Sequence, residues 1–327
     1  MKALDHNMLA RYVCRYFHLG EWRETKGSVG GSFNRNLKIQ SSQNHYIVRI
    51  LNKTNTAEHL KYVQRILLTL SQQGVPAIVP ETAPSGEPFV YYQGELVQVT
   101  PYCSAETFLC KQNQVYSSGS MLRSFHQALV DEEPGPMPGW SFFRPESYYE
   151  DAIRRLQSLF TISDSELSAI ERYLERIWRS WNDSAPDLPE TILHGDWHFW
   201  NQLYEGRMVR YILDFDFVQH GKRILDVAYT MWVIYMLLPE HSASFDHAFL
   251  KGYGPLTDAE ADMLPTAIAI IALFFLCQAA HAANPQAKWK SQYVKQEPLV
   301  RWLMAEGGRK ITQMAKNIAR RTSRISS

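Results

Sequence analysis

Asp196, Asn201 and Asp214 are the side chains of this sequence best suited to chemistry. They sit in His194-Gly195-Asp196-Trp197-His198-Phe199-Trp200-Asn201 and, further on, in Leu213-Asp214-Phe215-Asp216. Phosphoryl transfer from a nucleotide needs a carboxylate near the attacking hydroxyl and oxygen ligands that hold magnesium on the phosphates. Two carboxylates and an amide at these positions match that requirement. Thr191-Ile192-Leu193 is a short apolar, β-branched run that predicts a strand, and Gly195 allows a sharp turn that presents Asp196 on a loop. Val209 to Leu213 predicts a hairpin partner strand after the Glu205-Gly206-Arg207 turn, delivering Asp214 to the same end of the pair. A transition-metal cluster of His194, Asp196 and His198 is the competing reading, since alternate residues on an extended segment share a face. No second His or Cys group stands near in sequence to complete it.

His-Gly-Asp-x-His-x-x-x-Asn followed by Asp-Phe-Asp resembles the aminoglycoside phosphotransferase and choline kinase family, whose fold is protein-kinase-like. The resemblance implies an α+β, bilobal chain: a small antiparallel β-sheet lobe with one main helix, then a larger, mainly helical lobe. On that pattern residues 1–100 form the nucleotide-binding lobe, 101–104 the hinge and 105–327 the catalytic and substrate-binding lobe. It also implies ATP as donor, Asp196 as catalytic base, Asn201 and Asp214 as Mg2+ ligands, and His194 and His198 as supports of the loop.

The amino-terminal third fits a nucleotide lobe. Gly27 to Asn36 is a glycine-rich stretch between strand-like runs, and Leu37-Lys38-Ile39 and Tyr46 to Leu51 form a hairpin beside it. Backbone N–H groups at Gly30, Gly31 and Ser32 are placed to approach phosphate oxygens. Arg49 stands where the family pattern has a Lys that contacts the α- and β-phosphates; it keeps the charge but presents a planar fork. A helix is predicted over 57–73, ending at Gly74. Its only acid is Glu58, a candidate partner for Arg49, although the family places its acid about a turn later. Strands over 89–92 and 95–100 complete the sheet, and Pro101 to Ser104 resembles the family hinge, with Thr100 and Tyr102 beside the adenine site.

From Ala105 on, the periodicity is mainly helical. Met121 to His126 resembles the helix beneath the catalytic loop, with His126 as a packed, hydrogen-bonded residue. Asp131 to Trp140, rich in proline and glycine, is a loop, and helices follow over 145–159 and 164–181. Asp216 to Leu225 is too short for the activation segment with which protein kinases hold a peptide, so the expected acceptor is a small-molecule hydroxyl. Asp226 buttresses the catalytic loop by resemblance, and Asp216 supports the metal side. Trp197, Trp200, Tyr229 and Trp232 are candidate substrate contacts, followed by Asp246 and Tyr293; aromatic faces stack on sugars or cradle amines, although large aromatics usually serve packing.

The 327 residues, 45% hydrophobic, suffice for two cores. A net charge of +1 gives no global field for nucleic acid or membrane, and neither is an expected partner; oligomeric state leaves no trace in the sequence. Cys14, Cys103, Cys110 and Cys277 form no C-x-x-C pair and fit reduced thiols, and Met1 to Gly20 has no apolar core of a signal peptide, so a cytoplasmic location is expected. The uncharged run from Leu264 to Ala280 reads as a buried helix too short for a bilayer. The basic stretch from Gly308 reads as an amphipathic helix with a solvated cationic face and a frayed end. A small-molecule kinase acting on an amino alcohol, sugar, homoserine-like compound or aminoglycoside is the first functional reading. A non-catalytic kinase-fold protein, like the spore-coat proteins that resemble this family, is the second, motivated by Arg49 and the missing mid-helix acid.

Overall fold

The computed structural model describes the backbone of residues 4–30 and 33–325, and side chains among these up to residue 321. Helix α1 (His6–Tyr16) leads into strands β1 (Trp22–Ser28), β2 (Arg35–Ser41) and β3 (His45–Ile50), helix α2 (Ala57–Gln72), and strands β4 (Val90–Tyr92) and β5 (Glu95–Pro101). The strands form one antiparallel sheet in the order β1-β2-β3-β5-β4. Side chains alternate across a strand, so Leu37, Ile39, Val48, Ile50, Val97 and Val99 share one face, and Leu9, Ala10 and Val13 of α1 cover it. Helix α1 went unread in the sequence. It begins at Asp5, whose carboxylate accepts the Asn7 and Met8 N–H groups at 2.9 and 3.1 Å. The same alternation turns Arg49 and its cross-strand partner Gln98 to the opposite face, toward the second lobe.

The second lobe holds helices α3 (Gln112–Ala128), α4 (Glu146–Leu159), α5 (Asp164–Ser184), α6 (Ile224–Leu237), α7 (Ser242–Tyr253), α8 (Asp258–Cys277), α9 (Pro285–Leu303) and α10 (Glu306–Ile325). Two short ribbons interrupt them: β6 (Glu190–Leu193) with β9 (Gln219–Lys222), and β7 (Gln202–Glu205) with β8 (Met208–Ile212). The hairpin at Glu205 to Arg207 thus joins β7 to β8, and the strand before the catalytic loop takes β9 as its partner.

Helix α8 is the centre of this lobe, touching α4, α5, α6, α9 and α10. It starts earlier than the uncharged run suggests, at a capping box in which Thr257 and Glu260 satisfy each other's backbone N–H groups. Its mean hydropathy of 2.1 makes it long and apolar enough to cross a membrane by length and composition, and 89% of that window is buried within the fold. The predicted amphipathic tail is α10, whose Ile311, Ala315 and Ile318 are buried while Lys316 reaches Asp262 at 2.8 Å. Its expected frayed end at 326–327 lies outside the described residues. Helices α3 and α7 pack closely because Gly119 and Gly252 carry no side chain: a Cβ at Gly252 would stand 2.0 Å from the Tyr116 carbonyl oxygen.

Candidate active site

The catalytic segment leaves β6 through Gly195, at φ +81°, where a Cβ would lie 2.2 Å from the Phe217 carbonyl oxygen. Only glycine combines that backbone with that approach. Asp226, fully buried at the start of α6, fixes the turn: its carboxylate accepts the His194 N–H at 2.8 Å, the Gly195 N–H at 3.0 Å and His126 Nε2–H at 3.1 Å. His126 is held on its other side by the Tyr253 hydroxyl at 2.9 Å. His194 Nδ1 accepts the Asp196 N–H at 3.3 Å, so its Nε2–H donates to the Leu213 carbonyl at 3.0 Å. Burial pushes the His194 ring pKa down. His198 Nδ1 caps the Asn201 N–H at 3.2 Å, and burial pushes that ring down to about 4, which keeps it neutral.

Asp196 is 7% exposed. Asn201 Nδ2 donates to Asp196 Oδ2 at 2.9 Å and to its carbonyl at 3.0 Å, which leaves Asn201 Oδ1 as a free oxygen. Asp196 Oδ1 is buried with no partner, and the Tyr229 hydroxyl lies beside the carboxylate. Burial raises the Asp196 carboxyl to about 8, with Tyr229 opposing and the charge of Asp214 adding to the rise. Asp214 adopts φ +60°, and the preceding Leu213 N–H donates to the Asn201 carbonyl at 2.9 Å, which sets the two loops side by side. Burial and the neighbouring Asp216 raise Asp214 to about 7 against the pull of Arg49.

Arg49 does not meet Glu58. Its Nη2 bridges Asp214 Oδ1 at 3.1 Å and Asp216 Oδ1 at 3.0 Å, tying β3 to the second lobe. Glu58 falls in the first turn of α2 and is exposed, so the expected pair does not form; its helical neighbour His59 faces inward instead. The His59 ring contacts the Pro136 carbonyl at 3.0 Å and the Asp216 carbonyl at 3.2 Å, and burial lowers its pKa. Asn34 donates from its amide to the Asp216 carboxylate and accepts the Asn52 N–H at 2.9 Å. Asp216 is therefore held by Arg49, Asn34 and His59. Neither Asn34 nor His59 carried a motif that would single it out.

On the nucleotide side, Gly30 is exposed at the tip of the β1–β2 hairpin, its carbonyl accepting Asn36 Nδ2 at 2.8 Å. Gly31 and Ser32 lie outside the described residues. Phe33 follows, its ring 5.0 Å from that of Phe217 in the second lobe. Thr100 pairs with Ile47 in the sheet. The Tyr102 N–H is committed to the His45 carbonyl at 3.0 Å, and Lys38 Nζ stands 3.1 Å over the Tyr102 ring.

Of the candidate substrate aromatics, Trp197 is turned into the core, its indole N–H donating to Ser118 Oγ at 3.1 Å, and makes no surface for a ligand. Trp200 is 45% exposed beside Phe108. Tyr229 touches Asp196. Trp232 is buried one turn on, stacked 4.0 Å from Phe275 and bonded to Gln296 at 3.0 Å. Asp246 accepts the Tyr235 hydroxyl at 3.1 Å in a separate pocket of about 670 Å³, whose lining includes no catalytic-loop residue. Tyr293 lies on α9 with its ring 5.8 Å from that of Trp289.

Residues 26–264 match the phosphotransferase enzyme family. The homoserine kinase of Neisseria meningitidis serogroup B is 24% identical over 267 residues, 77% of this chain and 81% of that protein; the homoserine kinase of Zymomonas mobilis is also 24% identical, covering 77% and 78%. Among solved structures, the amicoumacin kinase hAmiN, in complex with AMP-PNP and Ca2+, superposes with a TM-score of 0.69 at 15% identity, over 92% of this chain and 93% of that one. A microcompartment-associated aminopropanol kinase gives a TM-score of 0.69 at 15% identity, over 94% and 98%. These likenesses establish the bilobal, protein-kinase-like fold. With the family match covering more than half of its length, the chain belongs to the phosphotransferase enzyme family and is a small-molecule kinase.

Proposed function

We propose that this chain transfers the γ-phosphoryl group of ATP to a hydroxyl of a small molecule, with Asp196 as base and Asn201 and Asp214 as ligands of Mg2+. The observation that carries this reading is the lock between Asn201 Nδ2 and Asp196, which leaves Asn201 Oδ1 free on the loop adjoining Asp214. An amide oxygen and a carboxylate suit Mg2+, which takes one or two protein ligands and completes its shell with phosphate and water. Bound there, the ion would neutralise charge on the phosphates.

Asp196 is the group that takes the proton. Its carboxylate, 7% exposed, receives the acceptor's hydroxyl hydrogen as that oxygen bonds to the γ-phosphorus and ADP departs. Burial raises this carboxyl above the ordinary aspartate range, which makes it a stronger base. In this reading residues 1–100 hold the nucleotide beneath Gly30, Gly31 and Ser32, with Arg49 at the phosphates, Thr100 and Tyr102 at the adenine, and 101–104 as hinge. Acceptors within reach of the reading are amino alcohols, homoserine-like compounds, sugars and aminoglycosides. The homoserine and aminopropanol kinases among its relatives support the first two.

The test is paired. Mg2+ with ATP is expected to raise the melting temperature of the wild type, and Asp214→Ala to remove most of that rise. Asp196→Ala is expected to keep the rise and to lose ADP release in the presence of acceptor. Loss of nucleotide binding in Asp196→Ala would refute the assignment of the base.

A further inference from the structure

We propose that Arg144 anchors a carboxylate of the acceptor, so that the substrate of this enzyme is a small hydroxy acid or hydroxy amino acid. The proposal rests on the kinase reading above and narrows it.

Arg144 sits where the loop after α3 runs into α4. It makes no hydrogen bond or ion pair among the described residues, and its Nε is buried without a partner. Of the other half-buried arginines, Arg49 is paired with Asp214 and Asp216, and Arg223 with both oxygens of Glu260 at 2.7 and 2.8 Å; Arg123 also lacks an anion, but among the described residues only Arg144 has a guanidinium nitrogen buried without a partner. A half-buried guanidinium with no anion is costly to hold, and a ligand carboxylate is its natural complement because the planar fork meets two oxygens at once.

The rings that link its segment to the reacting carboxylate define the rest of the ligand. Phe142, two residues before Arg144, has its ring 4.7 Å from that of Tyr229, whose hydroxyl lies beside Asp196. Phe142 also stands 5.8 Å from Phe275, the ring stacked on Trp232. The guanidinium lies 5.6 Å from the Tyr148 ring, whose hydroxyl accepts Gln278 Nε2 at 2.6 Å. The path from Asp196 through Tyr229 and Phe142 to the segment that carries Arg144 is thus aromatic, with a proton acceptor at one end and a cation at the other. A short apolar chain with a hydroxyl at one end and a carboxylate at the other fits that polarity.

Electrostatics points the same way. Arg144 is the cation at the outer end of this path, and it favours an anionic group of the acceptor there. A polycationic aminoglycoside would instead find Arg144 in its way.

The experiment follows ADP release under Mg2+ and ATP for acceptor pairs that differ only in the carboxylate: homoserine against 2-amino-1,4-butanediol, and 4-hydroxybutyrate against 1,4-butanediol. The wild type is expected to favour the acid in a pair by roughly tenfold or more in kcat/KM, and Arg144→Ala to lower that ratio by roughly tenfold to a hundredfold, chiefly through KM. Arg144→Lys, which keeps the charge without the fork, is expected to recover part of it. A wild type indifferent to the carboxylate, or a ratio unmoved in Arg144→Ala, overturns the proposal, and the wild-type comparison decides alone if the variants do not fold. Phosphorylation of amines or sugars but of no acid overturns the Arg144 assignment and leaves the kinase reading standing. No turnover of any acid despite a melting shift with Mg2+ and ATP likewise overturns it, whereas absence of that shift removes the kinase reading itself.

Discussion

Replacing Asp226 with alanine is expected to unseat the catalytic loop, by an amount that the geometry allows one to estimate. The carboxylate is fully buried and is the acceptor for two backbone N–H groups, those of His194 and Gly195, as well as for His126 Nε2–H. Each buried donor left without a partner costs about 1–3 kcal/mol, so two orphaned amides place the loss near 4 kcal/mol before any cavity is counted. That is a large part of the roughly 5–15 kcal/mol by which a folded chain is stable, and corresponds to a fall of roughly 6 °C in Tm for a chain of 327 residues. Asp226→Asn refines the argument. An amide oxygen retains one of the backbone donors, and His126 can exchange tautomers to accept from the new amide N–H, because the Tyr253 hydroxyl on its far side can donate or accept. One orphan remains, and the cost should be about half that of alanine. Urea unfolding of the wild type and both variants, with ADP release measured in parallel, gives the ranking. An Asp226→Ala protein within about 1 kcal/mol of the wild type, or an asparagine variant as unstable as the alanine one, would refute the claim that this carboxylate holds the turn.

Gly195→Ala combines a left-handed backbone with a Cβ 2.2 Å from a carbonyl oxygen, and is expected to lower stability by at least about 2 kcal/mol and to abolish turnover; a thermally unchanged, active variant would count against the close approach. Between its ordinary 3.8 and the folded value of about 8, the Asp196 carboxyl keeps a proton in the folded chain that the unfolded chain has lost. Stability of the metal-free protein from this group therefore falls as pH rises across that window and levels off above it, and Asp196→Asn should flatten the profile measured by thermal unfolding. Glu58→Ala is expected to change stability by less than about 0.5 kcal/mol and to leave turnover unaltered, since the side chain is exposed and Arg49 is already paired; a marked loss of activity would restore Glu58 as its partner.

What the sequence made legible was local. The turn at Gly195, the α2 periodicity that ends before Gly74 and the spacing that brings Asp214 next to Asn201 all follow from chain geometry over a few residues, and a linear pattern records them. The partner of Arg49 was not legible, because it depends on how β3 faces the second lobe: the acids it meets lie 165 and 167 positions away. The inward turn of His59 rather than Glu58 is a matter of one hundred degrees of helix rotation, which a motif resolves only if the register is already known. Trp197 illustrates the opposite error. Its neighbours are catalytic, yet the loop's curl sends the indole to Ser118 in the core. Arg144 left no trace at all, since its distinction is the absence of an anion in three dimensions.

The loop after α3 ties α2 to the second lobe. It reaches across to α2 at several points: Glu132 accepts Thr69 Oγ1 at 2.7 Å, the Glu133 carbonyl accepts Arg65 at 3.1 Å, and the Pro136 carbonyl meets His59. Two glycines let it lie flat, for a Cβ on Gly135 would strike the Tyr62 ring and one on Gly139 would stand 2.0 Å from the Thr54 carbonyl oxygen. A helix tied down at these points is expected to keep its place against the second lobe, unlike the corresponding helix of protein kinases, whose positioning is part of their control.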